Sequence, residues 1–260
     1  MAALALAAMV LTMFGTGLGL HGRDFLRVQT APAPILIGLA LQALLFPMAM
    51  ALLVAGLLPA GDLAFGLSLV GLLPATAASH AFVGLAGGNI GIARSLTAWS
   101  SLTFLMVVWA IDLDEVMPHL NLVLGACYVL PLAAGMGLRQ LRPQIAIRAE
   151  RPVFMAGSVL TGLAVLATLW LEWDPQLLAQ FPLALLIACM AGLFGGVAGG
   201  LRGTGRGEAM GISLAMQNVV VLLALAWAAG HGGFAAGAAV YAVAMYLAVF
   251  GLIIFWRRIG

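Results

Sequence analysis

Apolar runs of about 20 residues follow one another along almost the whole chain, separated by short polar connections. Of the 260 residues, 64% are hydrophobic and 8% charged, against about 45–50% and 25% in a soluble domain. Water is therefore excluded as the main solvent. A transmembrane barrel would alternate polar and apolar residues over segments of about 10 residues. These runs do not alternate. A helix satisfies its own backbone donors and acceptors inside hydrocarbon, so the expectation is an all-α polytopic membrane protein.

The runs predict nine transmembrane helices, at 1–20, 33–58, 63–86, 89–111, 117–138, 153–171, 178–201, 209–229 and 233–256. The first run lacks the basic start of a secretion signal and reads as a span. The basic residues, all of them arginines, lie at one side of the spans: Arg23 and Arg27 after span 1, Arg94 at the start of span 4, Arg139 to Arg151 between spans 5 and 6, Arg202 and Arg206 between 7 and 8, then Arg257 and Arg258 at the end. Asp62, Asp112, Asp114, Glu115, Glu172 and Asp174 occupy the other connections. By the positive-inside rule the arginine side is cytoplasmic, the N-terminus outside and the C-terminus inside, which requires an odd number of spans. In a bacterium this is the inner membrane. Trp170, Trp173 and Trp256 stand at span ends, as interfacial anchors do.

The net charge of +2 is small and dispersed, so nucleic acid is not an expected partner. Cys127 and Cys189 lie in separate apolar runs and read as core residues. The glycine-rich stretch 192–207 has the small-residue spacing of close helix packing and lacks the ending of a phosphate loop. There are no paired carboxylates in mid-span, no His/Glu metal cluster and no nucleophile beside a base. An enzyme is not expected.

Spans 3 and 8 stand apart. Span 3 breaks at Pro74 into a small, polar stretch from Ala75 to His80, and proline withholds a backbone donor there. Span 8 carries Ser213 and the adjacent amides Gln217 and Asn218, which lipid cannot satisfy and which must face protein, water or ligand. The stretch 139–152 reads as a cytoplasmic basic loop between a first repeat, 1–138, and a second, 153–260. Were a five-plus-five plan to lack its first helix, span 5 (117–138) would pass to the second repeat, and each irregular span would be fourth in its unit. An odd number of spans per unit inverts the repeats, and broken helices then cross near the midplane.

GLALQALLFP at 38–47, GLSLVGLLPATAAS at 66–79, GNIGIARSLTAWSS at 88–101 and SLAMQNVVVLLALA at 213–226 together resemble, in order and spacing, the signatures of the bile acid:sodium symporter family. The chain looks like the nine-span form lacking the first helix. The resemblance implies a secondary transporter of a small or amphipathic organic anion, rocking a core (spans 3, 4, 8 and 9) against a panel (spans 1, 2, 6 and 7). It also implies two sodium sites. One would draw on Ser79, His80, Ala93, Thr97 and Ser213, the other on Gln42, Ser213, Leu214, Met216 and Gln217.

Thr76, Ser79, His80, Gln217 and Asn218 are the expected substrate contacts. Half-helix N-termini carry partial positive charge, which accounts for an anion site with no buried arginine. Where the family has Asn, Ser, Glu and Gly, this chain has His80, Ala93, Ser213 and Ala215. Those departures remove a carboxylate and a hydroxyl from the ion sites. Sodium and the proton both stay open as coupling ions, as do uncoupled transport and a role as a non-transporting membrane subunit or sensor. Monomer and homodimer are equally open.

Overall fold

A computed structural model describes residues 1–111, 119–201, 203 and 205–259. The acidic group Asp112, Asp114 and Glu115, and Arg202, lie outside the described residues. The described chain is helical, with a single isolated backbone bridge and no named strand.

The helices are α1 (Ala2–Gly19), α2 (Gly22–Thr30), α3 (Pro32–Ala40) running through a π turn (Leu41–Leu45) into α4 (Phe46–Leu57), α5 (Asp62–Leu69) with a 3-10 turn (Val70–Leu72), α6 (Ser79–Leu85) and α7 (Ile90–Ile111). Then follow α8 (Leu120–Leu124) running through a second π turn (Gly125–Val129) into α9 (Leu130–Leu141), α10 (Pro143–Leu171), α11 (Pro175–Gly200), α12 (Arg206–Ala215), α13 (Val219–Ala228) and α14 (Gly232–Ile259). Among the described residues, 7 helical stretches are long and apolar enough to cross a membrane. The two remaining expected spans are each interrupted at mid-length, one between Leu72 and Ser79, the other between Ala215 and Val219.

Three expectations need correction. The stretch 139–152 is not a loop: it is helical except at Arg142, because Pro143 occupies a helix start, where its fixed φ fits and its missing N–H costs nothing. Residues 22–30, expected as connection, form α2, whose first turn is fixed by the Asp24 carboxylate accepting from the His21 backbone N–H at 2.8 Å. The third correction concerns the two groups. α1, α9 and α10 pack on one another, whereas α3, α4 and α11 pack against α5, α7, α12 and α14. Spans 2 and 7 therefore sit with the core, and span 5 joins spans 1 and 6.

α13, VVVLLALAWA, is apolar on every side, and such a helix belongs at the centre of a bundle. Val219 to Ala226 are all buried. The glycines of 192–207 pack closely, as their spacing predicts. A Cβ on Gly211 of α12 would stand 2.4 Å from the Gly192 carbonyl of α11, and one on Gly199 would stand 2.4 Å from the Arg206 carbonyl. The other half-helix is held the same way: a Cβ on Gly237 of α14 would meet the Leu63 carbonyl at 2.4 Å, and one on Gly66 the Phe234 carbonyl at 2.4 Å. Trp256 also rests on Gly196 and Gly211, so it seats a helix as well as marking a span end.

The ends of the molecule differ in charge. Asp62, Glu172 and Asp174 share one recess. At the opposite end Arg139 pairs with Glu150 at 3.3 Å and donates through Nε to His21 Nε2 at 3.0 Å, while Arg257 Nε donates to the Leu85 carbonyl at 2.9 Å. Burial holds the His21 imidazole below its usual range; Arg139, Arg23 and Arg94 push the same way, and Asp24 opposes them. The folded protein thus disfavours protonated His21, and protonation would also remove the acceptor used by Arg139. An unfolded histidine titrates near pH 6.5, so this stability is complete above about pH 6.5 and declines as pH falls below it. Melting temperature in detergent is expected to drop as pH falls below about 6.5, and His21→Gln to reduce that slope. An unaltered slope in the variant would assign the pH response elsewhere.

Candidate functional site

The two interruptions meet. Ala75 pairs with Gln217 in an antiparallel bridge, the Thr76 N–H donates to the Met216 carbonyl at 3.0 Å, and the Asn218 N–H donates to the Pro74 carbonyl at 2.8 Å. Each broken helix thus offers its freed backbone groups to the other, which answers the requirement that every polar backbone group inside a membrane be paired. Pro74 causes the first break, since it cannot donate to the turn before it.

Side chains complete the joint. Gln42 Nε2 donates to the Leu73 carbonyl at 3.0 Å and to Gln217 Oε1 at 2.7 Å, and Gln217 Nε2 donates to the Leu214 carbonyl at 2.7 Å. Gln42 reaches the crossing from inside the π turn that precedes Pro47, a local widening often found at functional positions. Ser100 Oγ accepts from the Ala75 N–H at 3.1 Å, and the Tyr241 hydroxyl donates to the Ala215 carbonyl at 2.9 Å. Neither Ser100 nor Tyr241 stood out in the sequence, because each satisfies a backbone group of a distant segment and carries no local signal.

The residues expected to hold sodium fall into two clusters. Gln42, Leu214, Met216 and Gln217 are joined by the bonds just described. His80 Nε2 lies 3.0 Å from Thr97 Oγ1, and Ser79 Oγ donates to the Thr76 carbonyl at 2.8 Å. Ala93 is buried and offers no oxygen from its side chain. Ser213 is fully buried, and its hydroxyl has no partner among the described residues.

The expected substrate contacts are divided. Thr76, Gln217 and Asn218 line a cleft of about 20 Å³, where Asn218 Nδ2 lies 3.9 Å from the Met13 sulfur. His80 lines a separate cavity of about 590 Å³ between α1 and α10 on one side and α6 and α7 on the other. Phe154 and Ser158 of α10 border both spaces. Ser79 is fully buried and lines neither of them. Arg94, Glu150 and Arg151 stand at the large cavity. Arg94 read in the sequence only as a charge marking the cytoplasmic side. Its placement three residues before Thr97 on one helix was the available signal.

Two interrupted helices joined at their breaks by backbone pairing and buried amides define a polytopic helical membrane protein with its polar centre built at a crossing. The chain belongs to the sodium bile acid symporter family, whose model matches residues 6–178. Over 90 residues it is 34% identical to an uncharacterized sodium-dependent transporter, YocS, of Bacillus subtilis (strain 168), a stretch covering 35% of this chain and 28% of that protein. The family match ends within α11. The second broken helix lies beyond it and is tied to the matched part by the Ala75–Gln217 pairing.

Proposed function

We propose that the chain is a secondary transporter of a small or amphipathic organic anion, working by alternating access. The observation that carries this reading is the cavity of about 590 Å³ that opens beside the crossing, between the α1–α9–α10 group and the group containing both broken helices. Movement of one group against the other would carry that space from one side of the membrane to the other. The plan it implies for these residues is nine spans arranged as two inverted repeats. Arginines at one end and acidic residues at the other support an N-terminus outside and a C-terminus in the cytoplasm of a bacterial inner membrane.

Sodium is not the driving ion in this reading. Hard cations need several oxygen ligands. Here the family's shared carboxylate is Ser213 and a hydroxyl position is Ala93, while the imidazole of His80 engages Thr97. The Gln42 and Gln217 amides close on each other. Uptake of a panel of organic carboxylates and sulfonates into proteoliposomes, under sodium or proton gradients, tests both parts. Accumulation is expected for at least one anion, with no added drive from sodium. A bound ion at a hundredfold excess over its Kd stabilises the folded state by about 2.7 kcal/mol. Sodium titration of thermal stability is therefore expected to match potassium, and a saturable sodium-specific rise would restore sodium coupling. No uptake of any anion, with a stable partner recovered from membranes, would favour the subunit reading.

A further inference from the structure

We infer that Arg94 is the counter-ion for the anionic head of the transported molecule. This rests on the proposed reading of the large cavity as the transport pathway. Arg94 lines that cavity about one helical turn from Thr97, the residue bonded to His80 at its inner wall.

Its Nε is buried and, among the described residues, has no hydrogen-bond partner. A guanidinium is always charged and offers five donors in a planar fork, so a buried donor without an acceptor is costly unless a ligand supplies one. The other charges at the cavity do not supply it. Glu150 is paired with Arg139 at 3.3 Å, and Arg151 is exposed and of the same sign as Arg94. The cavity is thus positive at Arg94, while Ile90, Ile147, Phe154 and Met155 make much of its wall apolar. A two-oxygen acid head fits the planar fork of a guanidinium, and an apolar body fits the wall. A cation or a neutral sugar would leave both halves unmatched.

The test uses the full chain purified in detergent and a probe pair of one shape: 2-naphthalenesulfonate and the uncharged 2-naphthalenesulfonamide, with binding read by calorimetry. Wild type is expected to prefer the sulfonate by about tenfold or more, the ratio that one charge-assisted bond supplies. Arg94→Gln is expected to abolish the preference. Arg94→Lys keeps the charge and loses the fork, so it is expected to retain only part of the preference, and it serves if the glutamine variant does not fold. No preference in wild type, or a preference surviving in Arg94→Gln, overturns the assignment. Proteoliposome uptake separates the two readings. Binding that depends on Arg94 without uptake of any anion would fail transport and keep the site. Anion uptake undiminished in Arg94→Gln would fail the site and keep transport.

Discussion

Gln217→Ala is expected to abolish uptake and to lower the stability of the folded protein by about 2–4 kcal/mol. An amide that merely lined a water-filled space would cost about 1 kcal/mol on removal. Gln217 does more: it is fully buried, accepts from Gln42 and donates to the Leu214 carbonyl at the end of a broken helix. Truncation loses two hydrogen bonds, each worth about 0.6–1.7 kcal/mol inside a membrane, and leaves a cavity besides. Denaturation in detergent micelles measures the loss. Gln42→Ala and the double variant complete a cycle in which the two losses are expected not to add. Wild-type stability in Gln217→Ala, or strict additivity, would show that the crossing is held by its backbone alone.

A larger effect is expected from Gly211→Val, on the first half of the second broken helix, α12. Its Cβ would lie 2.4 Å from the Gly192 carbonyl, 2.7 Å from Trp256 Cη2 and 3.1 Å from the Gly196 backbone nitrogen. A side chain can turn away, but the two backbone contacts cannot. Overpacking of a yielding core costs about 1–3 kcal/mol, so this unyielding contact is expected to exceed 3 kcal/mol and to leave little monodisperse protein after extraction. Gly200→Val, at the end of the neighbouring helix α11 and with nothing within 4 Å of its Cβ, is the control and is expected to be extracted normally. Equal yields from the two would mean that α11 and α12 are free to separate.

The helical class and the two breaks were legible because each has a local cause: unbroken apolar runs, a proline after an apolar half-span, and two neighbouring amides that lipid cannot satisfy. The glycine stretch was legible too, since small residues at helical spacing have few other uses in a membrane. What the sequence concealed depends on partners far along the chain. Gln217 is bonded across 175 positions to Gln42, and no periodicity reports that. Tyr241 carried no signal because its hydroxyl serves the Ala215 carbonyl, which is free only because α12 stops there. The grouping of spans 2 and 7 with the core was equally hidden, because an evenly apolar helix does not show which neighbours it faces. Arg94 was visible but misread: an arginine one turn inside a span marks sidedness and lines a cavity at once.

The π turn of residues 41–45 has a consequence for how the second span meets its neighbours. A π turn carries one residue more than the α-helical turn it replaces, and each residue of an α-helix advances by about 100°. α3 and α4 are therefore two helices out of phase on a common axis. The face that α3 turns towards α7 and the face that α4 turns towards α5 are set independently, with Gln42 at the change of phase. Loss of a single residue from this turn would restore a regular helix and rotate everything on one side of it. The length of this stretch, as much as the identity of its glutamine, keeps the amide aimed at the crossing.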